Sequence, residues 1–199
     1  MANGRVITGY SMPKVAKYDE TTNAYSDLMA LARGVSVTVD AETADSNDFY
    51  ADNVLAESAT GTFSGGTVTL EVDGLKDAAR TLIQGLAEPT SVTVDGGSVN
   101  VYDYNDDQKA PYCGVGFVIR YMEAGVTSYV PVVLPKVLFD VDALEAATQE
   151  EEIDWQTTEL SATIFRADDE KHTWRRIGAA QTTEARAVAV VDAMLTSAQ

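Results

Sequence analysis

Alternation of apolar and polar residues is the feature that most constrains the fold of this chain. In the segment TVTLEV, residues 67–72, an apolar side chain occupies every second position. The segment GVSVTVD, residues 34–40, repeats the pattern with Val35, Val37 and Val39. Successive side chains of a strand point to opposite faces of a sheet, so a period of two predicts half-buried β-strands. The sequence therefore predicts a mainly β protein.

Glycine-containing turns predict how further strands pair. ESATGTF, residues 57–63, is expected to form a hairpin with TVTLEV through Gly65 and Gly66, which can adopt positive φ. Within residues 90–110, SVTV and SVNVY flank DGG and predict a second hairpin, which looks like an insertion. VGFVIRYM and VTSYVPVVL predict a third hairpin over 115–134. This third pair is apolar on both faces in places, which predicts packing against a second sheet or another subunit.

Two segments have helical periodicity instead. DGLKDAARTLIQG, residues 73–85, has apolar residues at spacings of three and four, with Asp73 as the expected N-cap and Gly85 as the stop. TTEARAVAVVDAMLTSAQ predicts a C-terminal helix within 180–199, with Val188, Val191 and Leu195 on one side. No long linker interrupts the chain, so its 199 residues are expected to form one domain.

Residues 40–56, DAETADSNDFYADNVLA, fit neither periodicity. They are polar and acidic, yet they include Phe49, Tyr50, Val54 and Leu55. Long loops are usually either functional or mobile. The pattern predicts a long loop with adhesive apolar spots.

The charge balance restricts the partners of this protein. Thirty-one acidic residues against fourteen basic ones give a net charge of −17 and a pI of about 4.2. Such a surface repels other polyanions, and direct affinity for nucleic acid depends on Lys and Arg, so tight DNA binding is not expected. The N-terminus lacks the charged and apolar regions of a signal peptide, and no apolar run approaches the ~20 residues of a membrane span. These features favour the cytoplasm, or an assembly built there.

Residues 150–178, EEEIDWQTTELSATIFRADDEKHTWRRIG, contain the best candidates for chemistry. The stretch holds acids at 150–152 and 154, both tryptophans and the single histidine, His172. Clustered acids that are not enclosed by apolar residues seldom have strongly shifted pKa values. A zinc site needs several histidine or cysteine ligands, and Cys113 is the only cysteine. No catalytic residue, cofactor-binding residue or metal ligand is therefore predicted, and no cofactor is expected.

The same stretch contains a strand whose phase changes. Ile153 and Trp155 share one parity, whereas Leu160, Ala162 and Ile164 share the other. A β-bulge or a kink between 156 and 159 would reconcile the two halves. We interpret the stretch as a structural wall rather than an active site.

The chain resembles the major tail proteins, or tail tube proteins, of long-tailed, non-contractile bacteriophages. Six segments carry the resemblance in order along most of the chain: NGRVITGYSMPKVAKY, ARGVSVTVD, FYADNVLAES, GTFSGGTVTLEVDGL, PYCGVGFVIRYMEAGVTSYVPVVLPKVLF and ATQEEEIDWQTTELSATIFR. No single motif is diagnostic, and the specificity lies in the ordered set. Residues 87–110 and the far C-terminus lie outside it.

The resemblance implies a β-sandwich or barrel with a flanking helix, and protomers that form six-fold rings stacked into a tube for viral DNA. It implies an N-terminal arm at 1–33 and an inter-subunit role for the 40–56 loop. Its implied partners are further copies of the chain, tape measure, tail terminator and tail tip proteins, and passing DNA without sequence-specific binding. Its implied location is the virion tail, assembled in the bacterial cytoplasm, with no membrane partner.

On this interpretation, seven residues are candidates for self-assembly contacts. They are Phe49, Tyr50, Asn53, Leu55, Trp155, Arg175 and Arg176. Two other functions remain open from the residues alone, and a hydrolase that uses the acids around 150–154 ranks below both. One is the inner tube of a contractile or secretion-type injection machine. The other is a monomeric β-sandwich that binds glycans or a cell surface, with Tyr102, Tyr104 and Tyr112 as its platform.

Overall fold

The computed structural model describes residues 4–144, 146–148 and 155–196. The chain is mainly β, with one large antiparallel sheet and two helices, of which one is C-terminal, and this confirms the expected fold class. Its elements are β1 (Val6–Asp19), β2 (Ala24–Ala30), β3 (Gly34–Thr43), β4 (Asn47–Ala51), β5 (Val54–Ala59), β6 (Phe63–Val72), α1 (Asp77–Gln84), β7 (Thr90–Val94), β8 (Gly97–Val101), β9 (Cys113–Glu123), β10 (Val126–Phe139), β11 (Thr158–Phe165), β12 (Arg176–Ile177) and α2 (Glu184–Met194).

The large sheet has the strand order β2-β1-β9-β10-β11-β6-β3, with the short β12 beside β10. All of its pairings are antiparallel. The sheet curls until its first strands approach its last one. A Cβ on Gly34 of β3 would meet the ring of Tyr10 of β1 at 2.2 Å, so only glycine fits this crossing. The curl encloses the main core, which includes Leu70, Phe117 and Leu134.

The third predicted hairpin is confirmed, and the structure explains its two apolar faces. In β9 and β10, one face contributes Val115, Phe117 and Leu134 to the core inside the curl. The other face contributes Val118 and Val133 to a second cluster with residues of α2. The partner predicted for this face is therefore the C-terminal helix of the same chain, not another sheet or subunit.

The C-terminal helix packs its apolar stripe against this outer face of β9 and β10. Its buried residues are Ala187, Val191 and Leu195. A Cβ on Gly116 of β9 would meet Val191 Cγ1 at 2.4 Å, so the glycine allows the helix to lie close to the strand. The Thr183 side chain accepts a hydrogen bond from the Arg186 N–H and caps the helix.

Three hairpins have two-residue loops in which both residues have positive φ. These residues are Asp52 and Asn53, Asp95 and Gly96, and Ala124 and Gly125. This is the type I′ turn, whose twist matches that of the flanking strands. The hairpin predicted within 90–110 is confirmed, with strands at 90–94 and 97–101.

Several other expectations are wrong in their details. Residues 6–19 and 24–30 are strands of the main sheet rather than part of an N-terminal arm. Residues 40–56 contain the end of β3, all of β4 and the start of β5 rather than a long loop. Gly65 and Gly66 lie inside β6, which pairs with β3 and β11, so the segment 57–63 does not form a hairpin with it.

The flanking helix begins later than predicted. Its N-cap is Lys76, with no side-chain cap, because Asp73 is used elsewhere: its carboxylate accepts a hydrogen bond from the Arg33 N–H at 2.9 Å. Gly85 ends the helix in the left-handed conformation with φ 62°, as expected. β11 begins at Thr158 and pairs regularly with β6 up to Thr163, so no bulge interrupts this part of the strand. Ile153, on which the predicted change of phase depends, lies outside the described residues.

Candidate assembly surface

The hairpin of β4 and β5 carries an exposed group of large apolar side chains. Phe49, Tyr50, Val54 and Leu55 are 61%, 62%, 63% and 53% exposed. Tyr50 and Leu55 are directly opposite each other across the two strands, so their side chains share one face. Asn53 has φ 64° and forms the turn of this hairpin with Asp52. Four of the seven candidate residues therefore lie on one small hairpin.

The hairpin of β7 and β8 has a second exposed apolar face, which sequence analysis did not single out. Val92 pairs with Val99, while Val94 and Val101 lie on the same face by alternation. These four valines are 46%, 50%, 53% and 38% exposed. Ser91, Thr93, Ser98 and Asn100 form the opposite face. The signal was present in SVTV and SVNV, because a two-residue turn sets the register that aligns both sets of valines.

The two hairpins leave the sheet from opposite ends of β6. The β4–β5 hairpin precedes Phe63, where β6 begins, whereas α1 and then β7 follow Val72, where β6 ends. Ten residues of strand span ~30 Å. The segment that follows β8 contacts α1, since Tyr102 lies beside this helix and Gln108 Nε2 donates to Gln84 O at 2.9 Å. Each end of this strand thus leads to one exposed apolar hairpin.

The remaining three candidate residues occupy different environments. Trp155 is 84% exposed and precedes β11. Arg175 lies with its guanidinium carbon 4.5 Å from the centre of the Trp174 ring. Arg176 Nη2 lies 3.4 Å from Asp169 Oδ2, with both side chains largely buried. Trp174, the neighbour of Arg175, stacks on Phe63 where β6 begins. Trp155 lies near the other end of β6, because Thr158 pairs with Val72, so the structure separates Trp155 from the β4–β5 hairpin.

The acids at 150–152 and 154 lie outside the described residues. Among the described residues, a polar groove of about 470 Å³ is lined by residues that include Glu71, Arg80, Asp142 and Glu159. Glu71 accepts hydrogen bonds from Thr157 and Ser36, which lower the pKa of its carboxyl. A carboxyl with a lowered pKa is a poor general acid near neutral pH. The groove therefore offers weak support for acid–base chemistry.

A buried lysine forms the main ionic cluster in the described part of the chain. Lys136 of β10 is 6% exposed, and its Nζ lies 2.6 Å from Glu20 Oε1 and 2.8 Å from Asp168 Oδ2. Its Nζ also lies 4.4 Å from the centre of the Tyr112 ring. Burial alone lowers the pKa of Lys136, but hydrogen bonds to the two carboxylates outweigh it and raise the pKa above its ordinary value. The cluster ties three separate parts of the chain together and is structural.

Of the three tyrosines considered as a glycan platform, Tyr102 and Tyr104 line one groove beside α1, whereas Tyr112 contacts other residues. The Tyr112 ring lies between Lys136 and Phe165, with an edge contact of 5.4 Å to the latter. Tyr104 Oη donates to Asp142 Oδ1 at 3.1 Å, and Tyr102 is half-buried beside α1. Tyr112 is half-buried, and Tyr104 is 47% exposed.

The single cysteine and histidine have ordinary structural places. Cys113 is fully buried, and burial raises the pKa of its thiol to about 12. His172 lies in a polar turn, in which its N–H donates to Asp169 O at 3.0 Å. Within the described ranges there is no group of three or more side chains suited to holding a metal ion. None of the described helices has the length and apolar character needed to cross a bilayer.

No protein-family model matches the chain, and no curated protein matches it.

Proposed function

We propose that this protein is a structural subunit that polymerises as stacked rings, six subunits to a ring, into a phage tail tube through which viral DNA passes. The observation that carries the proposal is the exposed β4–β5 hairpin, with Phe49, Tyr50, Val54 and Leu55 in solvent. Large apolar side chains grouped on a surface mark interaction sites. The segment FYADNVLAES, one of the six that resemble tail tube proteins, covers most of this hairpin.

The mainly β fold is compatible with this proposal and does not by itself select it. In such a subunit, the curled sheet would form the folded core, and the exposed hairpins would contact neighbouring subunits. The two apolar faces of β9 and β10 give no support, since α2 covers the outer one. Support therefore rests on the resemblance together with the exposed hairpins.

The charge of −17 suits a channel wall for DNA. An acidic subunit repels the phosphate backbone and does not release counterions from it, so passing DNA would slide without adhering. The proposed partners are other copies of the chain, the tape measure, tail terminator and tail tip proteins, and DNA in transit. The proposed place is the virion tail, with assembly in the host cytoplasm.

Negative-stain imaging of the purified protein over a range of concentrations tests the proposal. Rings or hollow tubes are the expected result. A protein that remains monomeric at every concentration, alone and in the presence of a tail tip complex, would contradict it. Tubes of this kind would also be formed by the inner-tube protein of a contractile or secretion-type machine, so binding to a sheath protein separates that alternative from the proposal.

A further inference from the structure

The valine face of the β7–β8 hairpin exposes apolar side chains that a binding partner would bury. An isolated two-stranded hairpin is only marginally stable in water. Here all ten residues of β7 and β8 are exposed, including Val92 and Val99 at the centre of the apolar face. The opposite face is polar, so only the valine face would be stabilised by burial.

The charges of the two exposed hairpins indicate which surfaces of two copies can approach each other. Residues 47–59, which form the β4–β5 hairpin, include Asp48, Asp52 and Glu57 and no basic residue. Two such hairpins would repel each other on contact. Residues 90–101 carry only Asp95, which lies at the turn. The valine face of the β7–β8 hairpin thus carries no charged side chain, with Asp95 at the turn and Asp103 at the base beside Thr90, so an acidic hairpin meets less repulsion there than on a second β4–β5 hairpin.

The position of the two hairpins sets the geometry of such a contact. They leave opposite ends of β6, and each carries a directly paired apolar couple, Tyr50 with Leu55 and Val92 with Val99. A contact between two different patches is head-to-tail, and a head-to-tail contact that does not close on itself generates an open polymer. One contact of this kind covers both hairpins at once.

We propose that the Val92–Val99 face of one copy receives the Tyr50–Leu55 face of the β4–β5 hairpin of another copy. This inference rests on the proposed function, because the contact is too small to hold two chains alone. Four half-exposed valines fall well short of the ~800 Å² per partner of a stable two-chain interface. Repetition around a ring supplies the missing affinity, since several weak contacts made together bind far more tightly than one.

Paired aspartate substitutions test the contact in tubes. Val99→Asp places a carboxylate on the valine face, and Ser98→Asp places the same charge on the opposite face of the same strand. Val99→Asp is expected to raise the critical concentration for tube growth by about 100-fold or more, since burying an unpaired charge is among the costliest changes. Ser98→Asp is expected to leave tube growth near that of the wild type. Equal growth of the two variants, measured by sedimentation, would overturn the inference.

Disulfide trapping between differently tagged copies tests the contact directly. Copies with Leu55→Cys are mixed with copies with Val99→Cys and treated with diamide; the native Cys113 is buried and does not interfere. A mixed disulfide is expected, and Ser98→Cys in place of Val99→Cys should form far less of it. Exclusive pairing of Val99→Cys copies with each other would instead show symmetric packing of β7–β8 hairpins and overturn the inference.

The two experiments separate failure of the contact from failure of the proposed function. If the wild type forms tubes and Val99→Asp does too, the tube function stands and the hairpin contact falls. If the wild type forms neither rings nor tubes, the proposed function falls, and trapping at high protein concentration decides the contact: the mixed disulfide supports it and its absence overturns it.

Discussion

Lys136 Nζ lies 2.8 Å from Asp168 Oδ2, and this pair joins the middle of the sheet to the segment that follows β11. The lysine is buried, whereas the Asp168 side chain is 42% exposed. Loss of one partner from such a pair leaves a charge with too few hydrogen bonds, whereas removal of the buried charge itself costs less. The two halves of the pair should therefore respond differently to substitution.

We expect Asp168→Ala to lower the free energy of unfolding by about 2 kcal/mol, because Lys136 then retains only Glu20 as an ionic partner. We expect Lys136→Met to cost less than 1 kcal/mol, because the two carboxylates it leaves are partly solvated and the methionine fills the space. Urea unfolding of both variants at low protein concentration gives the comparison. A larger loss for Lys136→Met would contradict this account.

The pH dependence of this stabilisation follows from the raised pKa of Lys136. A raised folded pKa adds stability that is fully present below the unfolded pKa, about 10.4 for lysine, and that is lost as pH rises through the folded value. The stability that Lys136 contributes is therefore expected to decline only in strongly alkaline solution.

A second prediction compares two tyrosines of β1. Tyr10 Oη is buried, has no hydrogen-bond partner among the described residues, and burial raises its pKa. Tyr18 Oη donates to Asn23 Oδ1 at 2.8 Å. Because an unsatisfied buried hydroxyl costs free energy, Tyr10→Phe should leave stability unchanged or raise it by up to ~1 kcal/mol, whereas Tyr18→Phe should lower it by ~1 kcal/mol. Thermal unfolding of both variants checks this, and a greater loss for Tyr10→Phe would refute it.

A third prediction concerns the docking of α2. Because a Cβ at position 116 would overlap Val191 Cγ1, Gly116→Ala should push the helix from the sheet and cost ~1–3 kcal/mol. Gly65→Ala is the matched control, since it also lies in a strand and has open space at that position. Limited proteolysis should cleave the C-terminal region of Gly116→Ala faster than that of the control. Equal cleavage rates would show that the helix adapts without detaching.

A fourth prediction distinguishes the two tryptophans. Trp155 is 84% exposed, so Trp155→Ala should change the stability of the unassembled chain by less than ~0.5 kcal/mol. Trp174 stacks on Phe63 with ring centres 4.5 Å apart, so Trp174→Ala should cost about 2 kcal/mol. If Trp155 lies in a seam between subunits, its substitution should impair assembly alone. Comparison of urea midpoints with tube yield separates folding from assembly, and an assembly-competent Trp155→Ala would exclude the seam.

A fifth prediction concerns salt. Each added copy brings a charge of −17, so stacking is opposed by repulsion, which is screened over ~8 Å at physiological ionic strength. Moderate salt should therefore strengthen assembly. Of the basic residues Lys171, Arg175 and Arg176, which could pair with acids on a neighbour, Arg176 already pairs with Asp169 and Arg175 lies over the Trp174 ring. Dissolution of tubes by moderate salt, measured by sedimentation, would show that opposite-charge pairs between subunits dominate.

The sequence by itself determined the local features of this protein. Alternation located β3, β6, β9 and β10, because the period of side chains along a strand depends only on backbone geometry. Turn residues located the hairpins at 90–101 and 113–139, and Gly85 correctly ended α1. The spacing of Val191 and Leu195 identified part of the buried stripe of the C-terminal helix, whereas Val188 is only partly buried and Ala187 is fully buried. Each of these features depends only on residues that are close together in the sequence.

Only the tertiary structure decided which distant segments meet. Periodicity showed that β9 and β10 are apolar on both faces, but not that α2 covers one of them. It placed β6 beside its sequence neighbour 57–63, whereas the curled sheet pairs it with β11, about ninety residues away. Asp73 became a partner of Arg33 instead of a helix cap. Such pairings depend on burial summed over the whole core, which no short window of sequence contains.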